Sequence, residues 1–122
     1  MCSSDLFPAI RDRSPTGLLA AVDPSTGKVK WQATTPTWTW SGTLATAGGL
    51  VFMGESNGWI RAYDATDGKV LWSFFCGAGV DGSPVTYELD GRQYIAVPAG
   101  GIRYAQLKGN AILVFALPST GR

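Results

Sequence analysis

The chain has 122 residues, of which 45% are hydrophobic, 16% are charged and 16 are glycine, a make-up that suits one turn-rich β domain and argues against disorder. A net charge of +1, with ten basic residues scattered along the chain, speaks against nucleic acid as a partner. There is no histidine and no CxxC or CxxCH motif, so neither a zinc site nor an attached haem is encoded, and no apolar run reaches the roughly 18 residues of a membrane-spanning helix.

Residues 1–16 carry Phe7-Pro8, Ser14-Pro15 and mixed charges without periodicity, and are expected to be irregular. No apolar core of a signal peptide follows the first residues. Cys2-Ser-Ser-Asp-Leu6 resembles the translation of a sequencing-library adapter, an opening expected at the edge of a gene fragment. Cys2 and Cys76 lie too far apart in sequence for a disulfide to be inferred between them.

A repeat then organises the chain. Ala21-Val-Asp-Pro-Ser-Thr-Gly-Lys-Val-Lys-Trp31 returns as Ala62-Tyr-Asp-Ala-Thr-Asp-Gly-Lys-Val-Leu-Trp72, with Asp, Gly, Lys and Trp each displaced by 41 positions. Each copy reads as two antiparallel strands joined by a tight turn. Asp accepts backbone hydrogen bonds in the bend, Gly adopts the positive φ, and Trp offers a flat apolar surface to a neighbouring element. A period of about 40 residues carrying several short strands is that of a β-propeller blade.

The expected fold is therefore all-β, a partial β-propeller of two to three blades built from four-stranded antiparallel sheets. Residues 17–35 supply two strands of a blade, with Leu18 to Asp23 followed by Lys28 to Thr34. Residues 42–75 form a complete blade: Gly42 to Ala47, Gly49 to Gly54, Gly58 to Asp64 and Lys69 to Phe75. Residues 82–118 give three strands of the last one: Ser83 to Glu88, a turn at Asp90-Gly91, Gln93 to Val97, then Asn110 to Leu117. A closed ring needs at least about four blades, so the chain reads as part of a longer protein.

Trp40-Ser-Gly-Thr-Leu-Ala-Thr-Ala-Gly-Gly-Leu-Val-Phe-Met-Gly54 narrows the reading. With Gly58-Trp-Ile-Arg-Ala-Tyr-Asp64, Gly82-Ser-Pro-Val-Thr-Tyr-Glu88, Gly91-Arg-Gln-Tyr-Ile-Ala-Val97 and Val114-Phe-Ala-Leu-Pro118, it resembles the C-terminal end of the pyrroloquinoline-quinone (PQQ)-dependent alcohol and glucose dehydrogenases, from about Gly17 to Pro118. The resemblance implies an eight-bladed periplasmic propeller that holds PQQ and a calcium or lanthanide ion. It also implies oxidation of an alcohol or an aldose by hydride transfer to the quinone, with electrons passed to a cytochrome c or to ubiquinone. It places Trp40 against the cofactor and brings the backbone N–H groups of Gly100 and Gly101 near it; Ile102-Arg103-Tyr104 stands where some members have a second tryptophan.

No residue here matches the family's catalytic aspartate or metal ligands, and Asp23 and Asp64 occupy structural turns. The chain alone is expected to be inactive. The competing readings are a non-catalytic propeller of the same repeat type, a periplasmic scaffold for other proteins, and, more remotely, a kelch-like module. Trp40 and the Ala99–Gly101 loop favour the enzyme, since a scaffold has no need of them.

Overall fold

Short apolar runs between glycine-bearing turns leave little room for anything but strands, and the structure contains nine among its described residues. It is a computed structural model that describes residues 16–101 and 107–118. Cys2, the irregular opening and Ile102-Arg103-Tyr104 lie outside them. Strands β1 (Gly17–Val22) and β2 (Val29–Thr35) form a first sheet. Strands β3 (Thr43–Ala45), β4 (Leu50–Gly54), β5 (Trp59–Asp64) and β6 (Val70–Phe75) form a second. Strands β7 (Val85–Leu89), β8 (Arg92–Ala99) and β9 (Ala111–Ala116) form a third. All pairings are antiparallel between consecutive strands, so each sheet is an up-and-down meander.

The repeated turn is built the same way twice. Asp23 Oδ1 accepts from the Ser25 N–H at 2.9 Å and from its hydroxyl at 2.6 Å, while the Gly27 N–H donates to the Asp23 carbonyl at 2.7 Å. Asp64 does likewise with Thr66, at 2.8 and 2.6 Å, and with Gly68, at 2.8 Å. In both sheets the ladder shifts register at the same place, between Ala21 and Val22 and between Ala62 and Tyr63. Identical local chemistry has given identical local geometry.

Most strand ends fall within one residue of the expected ones; β7 starts two residues late, at Val85, and two other ends differ for a visible reason. β3 ends at Ala45, because the Thr46 N–H leaves the ladder for the Leu50 carbonyl at 2.9 Å and its own carbonyl takes the Gly49 N–H at 3.2 Å, turning the chain early. β8 continues past Val97, with Pro98 opposite Ile112 and Ala99 opposite Ala111. Proline removes one ladder donor but does not forbid extended backbone.

Two apolar layers hold the sheets face to face. Leu19, Met53 and Tyr63, flanked by Trp31, Ala33 and Val51, fill the space between the first and second sheets. Phe52, Ile60, Ala62, Ala78, Val80, Ile95, Val97 and Ala99 fill that between the second and third. The Trp31 indole also lies on Gly68, where a Cβ would come within 2.5 Å of its ring, and donates its N–H to the Ala65 carbonyl at 2.9 Å. The tryptophan of one repeat is thus seated on the turn of the next.

Candidate functional site

Antiparallel pairing collects at one end of the second and third sheets the start of β3, the β4–β5 turn, the end of β6, the start of β7, the end of β8 and the start of β9. Trp40, Gly100 and Gly101 all lie at this end. Trp40 precedes β3, the edge strand of its sheet, and remains 57% exposed. The residues after it bind across to the third sheet: Ser41 Oγ donates to the Gly82 carbonyl at 3.1 Å and the Gly42 N–H donates to Ser83 Oγ at 3.1 Å. Gly82 packs on Pro98, whose Cγ lies 2.5 Å from where a Cβ would be. Pro98 leads directly into Ala99-Gly100-Gly101. The candidate residues are therefore linked through a short series of contacts.

The two glycines are less free than the sequence suggests. Gly101 has φ +69°, the left-handed region that favours glycine, and its N–H is engaged by the Gly79 carbonyl at 2.9 Å. The Gly100 carbonyl accepts from the Gly109 N–H at 2.8 Å, closing the loop, and Gly79 in turn donates to the Leu107 carbonyl at 2.9 Å. The loop is thus tied beneath the 76–82 connector. Gly100 and Gly101 carry no side chains, and Trp40 presents an exposed aromatic face with an indole donor.

A charged cluster at the same end has no counterpart in the sequence reading. Glu55, in the β4–β5 turn, is fully buried and paired with Arg61 Nε. Arg61 Nη1 donates to Ser73 Oγ at 3.0 Å, and its guanidinium lies 5.2 Å from the centre of the Trp59 ring. Burial, and secondarily the negative charge of Glu55, pushes the Tyr63 hydroxyl above its ordinary value. A Glu-Ser-Asn-Gly turn reads as a solvated bend, and nothing in its local spacing announces a buried carboxylate.

The remaining titratable groups point to structure. The Ser25 hydroxyl bonded to Asp23, and the Thr66 hydroxyl bonded to Asp64, hold those carboxyls below the usual aspartate range. Asp64 lies opposite Leu50 at the start of β4, the end of the sheet remote from Trp40. Cys76 is a free, half-buried thiol whose pKa burial raises, the reverse of what a reactive cysteine needs. Among the described residues no group of three His, Cys, Asp or Glu side chains could hold a metal ion.

Meandering sheets stacked face to face, with a tryptophan of one seated on the turn of the next, define a partial β-propeller. Within that class, the profile of the PQQ glucose/ethanol/alcohol dehydrogenase β-propeller domain matches residues 13–95, and the chain belongs to this family. It is 43% identical over 116 residues to the quinoprotein ethanol dehydrogenase of Pseudomonas aeruginosa, covering 84% of this chain and 19% of that protein. Among solved structures, the quinohemoprotein alcohol dehydrogenase from Comamonas testosteroni superposes with a TM-score of 0.73 at 34% identity, over 88% of this chain and 18% of the other. A europium-containing methanol dehydrogenase does so with a TM-score of 0.68 at 39% identity, over 73% and 16%. The chain spans about a fifth of the length of these relatives.

Proposed function

We propose that the chain is part of a PQQ-dependent dehydrogenase that oxidises an alcohol, and that its end bearing Trp40 and the Ala99–Gly101 loop lines the cofactor. The similarity to ethanol and methanol dehydrogenases supports an alcohol over an aldose, and it favours a periplasmic location with a cytochrome c or ubiquinone as electron acceptor. The observation that carries the reading is the exposed Trp40 ring beside strand β3, tied through Ser41 and Gly82 to the strand that enters the glycine loop. When bound, PQQ supplies the hydride acceptor, and a calcium or lanthanide ion the Lewis acid that polarises its carbonyl.

What these residues contribute is shape and exclusion of water. The Trp40 ring forms one apolar wall, its indole N–H can donate to a carbonyl or carboxylate of the ligand, and the Gly100–Gly101 backbone allows close approach. The proton of the substrate alcohol goes to a base elsewhere in the longer protein, since Asp23 and Asp64 are committed to their turns.

The test uses the full-length dehydrogenase loaded with PQQ and calcium. Dye-linked oxidation of ethanol in preference to glucose is expected, and Trp40→Ala should weaken PQQ retention about tenfold, the equivalent of about 1.4 kcal/mol. Absence of alcohol oxidation would leave a non-catalytic propeller as the better reading. Unchanged PQQ affinity in the Trp40 variant would remove that residue from the site.

A further inference from the structure

The β4–β5 turn, Glu55 to Gly58, touches both segments that carry the candidate cofactor contacts. Toward Trp40, the Ser56 N–H donates to the Trp38 carbonyl at 3.3 Å. Toward the glycine loop, the Glu55 carbonyl accepts from the Val80 N–H at 3.0 Å, the Gly58 carbonyl accepts from the Cys76 N–H at 2.7 Å, and Ser56 Oγ donates to Asp81 Oδ1. The 76–82 connector so gripped is the one whose Gly79 carbonyl holds Gly101.

The turn is itself anchored from within. The buried Glu55 carboxylate is paired with Arg61, which is fixed to β6 through Ser73. Burying a carboxylate is costly unless its partner is well placed. Here Glu55 Oε2 has no hydrogen-bond partner among the described residues, and neither does Thr37 Oγ1 on the adjoining segment. An apolar residue at position 55 would avoid that cost, so the arrangement calls for a reason beyond packing.

We infer that Glu55 is a positioning residue: through its pair with Arg61 it holds the β4–β5 turn as a clamp that fixes the Trp38–Trp40 segment against the 76–82 connector, and so sets Trp40 relative to the glycine loop. The inference rests on the proposed role of Trp40 at the cofactor.

A double-mutant cycle on PQQ affinity in the full-length dehydrogenase tests it. Glu55→Ala is expected to weaken PQQ binding about tenfold in the wild-type background and less than about twofold when Trp40 is already alanine, because the two residues act as a unit. If Glu55→Ala does not fold, Glu55→Gln serves in the same cycle, with a loss of about threefold that again disappears on the Trp40→Ala background. Equal losses on both backgrounds would show a general structural role and overturn the inference, as would no loss at all. A Trp40→Ala variant that binds PQQ normally would instead remove the reading on which the inference stands.

Discussion

Trp31 and Trp72 occupy the same place in two copies of one motif, yet they sit in different surroundings. Trp31 rests on Gly68 of the next sheet and donates to the Ala65 carbonyl. Trp72 meets rings instead: it is edge-on to Phe52 and Phe115, with centroids 6.5 and 5.1 Å away, and stacked on Phe74 at 6.1 Å. Among the described residues nothing accepts its N–H. It borders an apolar cavity of about 540 Å³ between the second and third sheets, lined also by Leu50, Ile95, Leu117 and Pro118. The difference teaches that the motif is half of an interface. Among the described residues, it is the bare turn glycine Gly68 that lets Trp31 seat as a fixed joint between two sheets.

The sharpest way to break the comparison is at Gly68. In the full-length protein, Gly68→Ala should lower stability by about 2–4 kcal/mol, since the residue has φ +76° and its new methyl would meet the Trp31 ring. On a Trp31→Ala background, where the ring is gone and only the positive φ of Gly68 remains, the same change should cost about 1–2 kcal/mol. Urea midpoints on the two backgrounds measure the gap, and equal losses would show that the docked ring contributes nothing. Next come the tryptophans. Trp31→Phe forfeits the bond to Ala65 and part of the contact, at about 1–2 kcal/mol, whereas Trp72→Phe should cost under about 1 kcal/mol; the reverse order would contradict the seating described here.

The smallest effect is one of pH. Asp23 and Asp64 have folded-state pKa values below their ordinary ones, so each turn's contribution is complete above the ordinary aspartate value and is lost as pH falls through the depressed value. A slight drop in melting temperature confined to that acid window is expected for the wild type. It should be reduced in Asp23→Asn and again in Asp64→Asn, as thermal scans across the window would show.

What the sequence discloses follows how far each interaction reaches along the chain. The Asp-to-Gly turn was legible because all its bonds close within six residues, and its donors and acceptors are written side by side. The strand order was legible for the same reason, each sheet pairing only consecutive strands. Trp40 stands out through the family pattern alone, and its ring is exposed among the described residues. The glycine loop looks like open backbone in the sequence, yet Gly79, 22 positions earlier, holds the Gly101 N–H. Glu55 escapes a reading of the sequence, because a carboxylate in a Ser-Asn-Gly bend looks solvated until Arg61 pairs with it and the Trp38 carbonyl takes the Ser56 N–H.

The Asp90-Gly91 turn has a consequence of another kind. Both residues have positive φ, 52° and 73°, with Leu89 opposite Arg92, the mirror-image two-residue turn whose twist matches that of its strands. Tyr87 stacks on Tyr94 across the pair at 5.2 Å, and Arg92 covers the latter ring. A hairpin so closed needs no distant partner and forms within about 1–10 μs. The seating of Trp31 on Gly68 must wait for a loop of more than thirty residues to close, which is slower because more chain entropy is lost first. Assembly therefore runs from hairpins to sheets and only then to the joints between sheets, so the end that brings Trp40 and the Ala99–Gly101 loop together is completed last.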